Sequence, residues 1–187
     1  MKRNMLFLLL IGSLLNGCVV AVVAGAATGL AVYDRRSVAM IERDVRIFHV
    51  VHKNIVTDPR FQQAHVVVSV FNRVVLLAGQ TPIASLRVLA EKIAQSTPQV
   101  HRVYNEITVG EPRLLTEQSK DVWITSEVRA KLLTKKGLES GSIRVVTESE
   151  VVYLMGIASP EQAGLAVDVA RQVNGVRKVD KVFQYIR

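Results

Sequence analysis

The thiol and imidazole side chains of this 187-residue chain, the first candidates for nucleophilic or metal chemistry, are Cys18, the only cysteine, and His49, His52, His65 and His101. A single thiol closes no internal disulfide, and neither a C-x-x-C pair nor a cysteine/histidine zinc spacing is present. His49 and His52 stand three apart on one segment, a spacing that metal sites use, yet neither has an acidic or cysteine ligand at a recognisable distance along the chain. Exposed or edge histidines are the plainer reading. The G-x-S-x-G elbow, the H-E-x-x-H pair and a glycine-rich phosphate loop are absent as well. The expectation is a non-enzyme with no catalytic residues, no metal site and no cofactor.

Cys18 has a context of its own. Lys2 and Arg3 precede an uncharged run from Asn4 to Leu15, followed by Asn16, Gly17 and Cys18, which is the charged, apolar and small-residue order of a secretory signal. Leucine three residues before the cysteine and glycine immediately before it resemble the lipobox of bacterial lipoproteins, although Asn16 departs from the usual small residue. That resemblance implies cleavage before Cys18 and acylation of its thiol; Val19, where an aspartate would signal inner-membrane retention, favours the outer membrane. The alternative is a transmembrane helix, because no charge lies between Arg3 and Asp34, and Gly25 and Gly29 form a small-x-x-x-small pair. Against it, residues 19–33 are mostly Ala, Val and Gly, less lipophilic than a leucine-rich span.

A formal charge of +8 raises the question of nucleic acid. Divided along the chain, the excess is +3 in residues 1–40, +3 in 41–109, zero in 110–116 and +2 in 117–187. No dense Lys/Arg stripe with interleaved aromatics results, so nucleic acid is not an expected partner. Mild attraction to an anionic membrane surface fits the same numbers.

The elements that would position any site come in two copies. VVLLAG at 74–79 matches VVYLMG at 151–156 at a separation of 77, which also places Val45 on Val122, Ile47 on Ile124, Val51 on Val128 and Ile55 on Leu132. Each copy predicts an amphipathic helix, a hairpin (His65 to Phe71 with Arg73 to Gly79; Ser142 to Thr147 with Glu150 to Gly156), a second helix and a last strand. The second helices are expected to start at Thr81-Pro82 and Ser159-Pro160, with Gln162 completing a capping box, and Gly79 and Gly156 to serve strand exit. The fold class is α+β: two tandem α-β-β-α-β domains, each a three-stranded sheet with two helices on one face, behind a lipoprotein signal peptide. The expected boundaries are 1–17 for the signal peptide, 18–40 for a lipidated linker, 41–109 and 117–187 for the domains, and 110–116 between them.

The copies differ on their first helices. Trp123 lies well round from the inward stripe of Ile124, Val128 and Leu132, in a second, partly apolar strip with Ser126, Ala130 and Leu133, flanked by Arg129, Lys131, Lys135 and Lys136. The first copy has Arg46, His49, Lys53 and Val56 at the matching positions. Tryptophan with nearby cations suits a bilayer interface carrying anionic head groups. A contact between Trp123 and the other domain is the competing reading.

The tandem repeat, the glycine ending each second strand (Gly79, Gly156), the lipobox, and the stretches VYNEI, DVWIT and VVYLMG together resemble the dual BON-domain outer-membrane lipoproteins of Gram-negative envelopes. The resemblance covers essentially the whole chain. It implies a periplasm-facing protein, lipid-anchored at Cys18, that binds anionic phospholipids such as phosphatidylglycerol or cardiolipin through its second domain and supports outer-membrane integrity, with enrichment at the division site. Carried onto this chain, the binding residues are Trp123, Ser126, Arg129, Ala130, Lys131, Leu133, Thr134 and Lys135. The rival function is a protein-interaction adaptor docking on outer-membrane assembly machinery or a peptidoglycan-linked partner.

Overall fold

A computed structural model describes residue 34 and residues 36–186 of the chain; the signal segment, Cys18 and the small-residue lead lie outside the described residues. The element order is α1 (Val38–Val56), β1 (His65–Phe71), β2 (Val74–Thr81), α2 (Ala84–Gln95), β3 (Arg102–Val109), α3 (Leu115–Thr134), β4 (Ile143–Glu148), β5 (Val151–Ala158), α4 (Pro160–Arg171) and β6 (Lys178–Tyr185). The first helix begins at Val38, ahead of the boundary expected at 41. Each domain holds a three-stranded sheet, β1-β2-β3 or β4-β5-β6, with an antiparallel hairpin and a parallel last strand reached through a helix.

The apolar residues four apart do what their spacing requires. Ile47, Val51 and Ile55, and Ile124, Val128 and Leu132, are the buried stripes of α1 and α3 and pack on one face of their sheets with α2 and α4. Val45 and Val122, matched in the repeat, are instead exposed. The central strands read as continuous apolar runs because both of their faces are buried. The second face of each sheet meets the other domain: Phe71, Val74, Leu76 and Ala78 pack against Val151, Tyr153, Met155 and Val182 in a third core. At its ends, Asn72 Nδ2 donates to Gln184 Oε1 at 2.8 Å, and Gln80 Nε2 donates to Glu148 Oε1 at 2.9 Å.

Both hairpins turn on two residues with left-handed backbones, Asn72 and Arg73 (φ 46° and 66°) and Ser149 and Glu150 (φ 55° and 62°), without a glycine in either turn. A buried aspartate holds each. Asp44 accepts from the amides of Asn72 and Arg73 at 2.7 and 2.8 Å, and Asp121 from those of Ser149 and Glu150 at 2.8 Å each. Each aspartate is paired in turn with an arginine eight residues earlier, Arg36 or Arg113, at 2.8 Å.

Three local expectations are corrected. Thr81 belongs to β2, and α2 starts only at Ala84, after Ile83 without a side-chain cap, so the Thr81-Pro82 start fails. Ser159 does cap α4, accepting from the Gln162 amide at 3.2 Å, but the Gln162 side chain reaches the loop after α3, accepting from the Glu139 amide and donating to the Gly137 carbonyl, so no capping box closes. Gly79 and Gly156 lie inside β2 and β5, not at their exits; a β-carbon would stand 2.0 Å from the His65 carbonyl oxygen at Gly79 and 2.5 Å from that of Ser142 at Gly156.

Candidate functional site

Helix α3 spans the second domain with one face in the core and one in solvent. Because Ile124, Val128 and Leu132 define the inward side, the residues about half a turn away face outward. Trp123 is 51% exposed and Leu133 43%. Between them on the same outward strip lie Ser126 and Ala130, both exposed. Val122, 67% exposed, extends the apolar surface. Pairing it with Val45 in the repeat hides this role, because an apolar match reads as core; the neighbouring buried stripe at Ile124 is the signal that puts it outside.

The polar groups on this face are satisfied within the helix. Ser119 Oγ donates to the Leu115 carbonyl at 2.9 Å, Ser126 Oγ to Val122 at 3.0 Å and Thr134 Oγ1 to Ala130 at 3.3 Å. A hydroxyl already bonded to its own helix loses little when water leaves, so the strip can enter a less polar medium without orphaned donors.

The cations divide. Lys131 lies 3.7 Å from Glu127, an exposed pair on the same helix. Arg129 donates to the Val145 carbonyl of β4 at 3.0 Å, so its guanidinium turns toward the sheet edge and away from the Trp123 strip while keeping its charge. Lys135 and Lys136, just past the helix, have no carboxylate partner among the described residues. The expected residues thus fall on one helix: Trp123, Ser126, Ala130, Leu133 and Thr134 exposed along it, with Lys131 and Lys135 at its flank and end, and only Arg129 aimed elsewhere.

The domain contact runs through the sheets, at Phe71, Leu76, Val151 and Met155 among others, and leaves Trp123 out of that core. The histidines are scattered: His52 stacks on Phe48 with ring centroids 5.2 Å apart, His49 meets Phe48 edge-on, His101 is exposed, and His65 Nε2 lies 3.3 Å from Glu148 Oε2 across the domain contact. No group of three or more metal-ligating side chains occurs among the described residues. Nor is any helix among them long and apolar enough to cross a membrane.

A family model for the BON domain matches residues 44–111 and 120–187. The chain is 33% identical over 174 residues to the outer membrane lipoprotein DolP of Haemophilus influenzae, covering 92% of this chain and 90% of that one. It is 39% identical over 126 residues to a 21 kDa hemolysin of Actinobacillus pleuropneumoniae, covering 67% and 65% of the two chains. Among solved structures, the C-terminal domain of CdsD, a structural protein of the Chlamydia trachomatis type III secretion system, aligns over 77% of this chain and 67% of that one at 11% identity and a TM-score of 0.31. The two sheets with their covering helices are thus two BON domains in tandem, and the chain belongs to the BON-domain family.

Proposed function

We propose that this chain is a periplasm-facing lipoprotein of the outer membrane, tethered through Cys18, whose second domain binds anionic phospholipid through the outward strip of α3. The observation that carries the reading is Trp123, 51% exposed on the same strip as Leu133, a strip whose hydroxyls are already bonded to their own helix. Shallow insertion of Trp123 and Leu133 supplies apolar contact, and Lys131 and Lys135 add attraction to phosphatidylglycerol or cardiolipin. The similarity to an outer membrane lipoprotein supports the location, and a role in envelope integrity with enrichment at the division site is the finer part of the proposal. Tethering at Cys18 raises the local concentration of membrane around the domain, so a weak face suffices.

Trp123 is the only tryptophan, so its emission reports on this strip alone. The fragment from residue 34 onward, which contains all three cores, is titrated with phosphatidylglycerol vesicles and with phosphatidylcholine vesicles. A blue shift with the anionic vesicles only is expected, together with loss of vesicle co-sedimentation in Trp123→Glu. Equal binding by Trp123→Glu and the parent rejects the lipid face.

A further inference from the structure

The two domains differ where the first helix overlies the edge strand. In the second domain this seam is bridged by polar bonds: Thr125 Oγ1 donates to Thr147 Oγ1 at 2.7 Å, and Arg129 reaches the Val145 carbonyl. The residues 77 positions earlier are Phe48, Val70, His52 and Val68. Phe48 and Val70 cannot make the first bond, and His52 is stacked on Phe48. The seam of the first domain therefore stays open as a groove of about 190 Å³, lined by Val68 and Val70 of β1 and by Ile41, Val45 and Phe48 of α1. Ile41 and Val45 are 37% and 47% exposed, so part of its apolar wall faces water.

The same groove has a cationic side. Arg36 and Asp44 both line it and are paired with each other at 2.8 Å, and Arg36 also holds Asp34 at 2.7 Å, so neither charge is open to a partner. Arg144 lines it from β4 of the other domain, and its side chain has no hydrogen bond or ion pair among the described residues. Desolvation, and then the charge of Arg36, push its guanidinium below the ordinary value, and the charges of Asp44 and Asp34 offset this only in part. The volume accommodates one or two side chains and falls short of the several hundred cubic ångströms that pockets for larger ligands occupy.

We propose that this groove is a peptide-docking site, taking a bulky apolar side chain of a partner protein against Ile41, Val45 and Phe48 and a neighbouring carboxylate on Arg144. Both domains build it, and it shares no residue with the Trp123 strip, so it stands or falls separately from the lipid reading. An apolar anchor in a preformed pocket supplies affinity, and the arginine–carboxylate bond supplies the choice of partner.

The test is selection of a random displayed-peptide library on the fragment from residue 34 onward. Enriched peptides are expected to carry a large apolar residue within a few positions of Asp or Glu. Binding of an enriched peptide should fall about tenfold or more in Val45→Glu and in Arg144→Glu and stay unchanged in Trp123→Glu. Circular dichroism of the two groove variants separates lost binding from lost fold, and Arg144→Gln gives a milder second readout at the same position. Selection that yields no peptide sensitive to both groove variants overturns the proposal, as do enriched peptides without an acidic residue. It also fails if phosphatidylglycerol vesicles, and no peptide, shift the amide resonances of Ile41, Val45 and Phe48.

Discussion

His65 Nε2 lies 3.3 Å from Oε2 of Glu148, an ion pair that crosses from the first strand of one domain to the fourth strand of the chain in the other. The Glu148 hydrogen bond raises His65 above its ordinary value of 6.5 against the opposing effect of burial, and Asp121 adds to it. Burial pushes Glu148 upward, but bonds from His65 and Gln80, with the charges of His65 and Arg113, outweigh it and leave the carboxyl below 4.5. By linkage, stability from His65 is complete below its unfolded value and is lost as pH rises through the raised folded value; stability from Glu148 is complete above its unfolded value and is lost as pH falls through the depressed one. The pair therefore contributes fully between 4.5 and 6.5. The thermal midpoint of the parent should decline from about pH 6 to about pH 9 more steeply than that of His65→Gln. Parallel curves in circular dichroism would mean that the pair contributes nothing across the interface.

Asp121 and Asp44 make the hairpins possible with non-glycine turns, since each accepts two amides of residues held at positive φ. Asp121→Ala removes that acceptor and leaves Arg113 without its buried partner. The expected loss is about 3 to 5 kcal/mol, the range for breaking a buried pair on one side. Asp121→Asn, which keeps an acceptor oxygen and loses the charge, should lie between alanine and the parent. Urea unfolding of the two variants measures both, and Asp44→Ala should act in the same direction through Arg36.

Gly79 and Gly156 occupy the same position in the repeat but are not equally restricted. Gly79 has φ +121° and would put a β-carbon 2.0 Å from backbone oxygen, whereas Gly156 is limited by a 2.5 Å approach alone. Neither neighbour is a side-chain end that could swing away, because both are backbone carbonyls. Gly79→Ala should destabilise by more than about 2 kcal/mol, adding backbone strain to overlap. Gly156→Ala should be harmful to a lesser degree. Comparison of the two urea midpoints decides the order, and a tolerated Gly79→Ala would contradict the close approach of β1 to β2.

The repeat makes much of this fold legible, because apolar residues four apart on helices and unbroken apolar runs on doubly buried strands leave little choice of structure. Ile47, Val51 and Leu132 are readable for that reason, and so are the central strands. Asp44 and Asp121 also stand 77 apart, as do Arg36 and Arg113, but a search led by apolar matches passes over polar ones. Their role depends on a turn brought next to the helix by tertiary folding, which no local period encodes. The Thr81-Pro82 start fails because the strand runs on through Thr81, where main-chain pairing with Val109 outweighs the capping preference of a hydroxyl. At the candidate site, periodicity alone sets Trp123, Ser126 and Leu133 on one strip, while the turn of Arg129 toward Val145 depends on the neighbouring sheet edge.

The outward strip of α3 makes opposite predictions for two substitutions at Ser126. Its hydroxyl is bonded to the Val122 carbonyl, so the face between Trp123 and Leu133 carries no donor that membrane entry would leave unpaired. Ser126→Leu adds apolar area there, worth about 1 kcal/mol even if only half of the new side chain is buried, and should strengthen binding to phosphatidylglycerol vesicles about fivefold. Ser126→Asp places an anion between Trp123 and the head groups and should abolish binding. Lys131→Ala and Lys135→Ala each remove about 1 kcal/mol of attraction, and raising the salt from about 0.1 M to about 1 M, which shortens the screening length from about 10 to about 3 Å, should erase the difference between them and the parent. Trp123 emission during vesicle titration follows all four variants. A fully salt-insensitive affinity, or a Ser126→Leu protein that binds no better than the parent, would place membrane contact on some other surface.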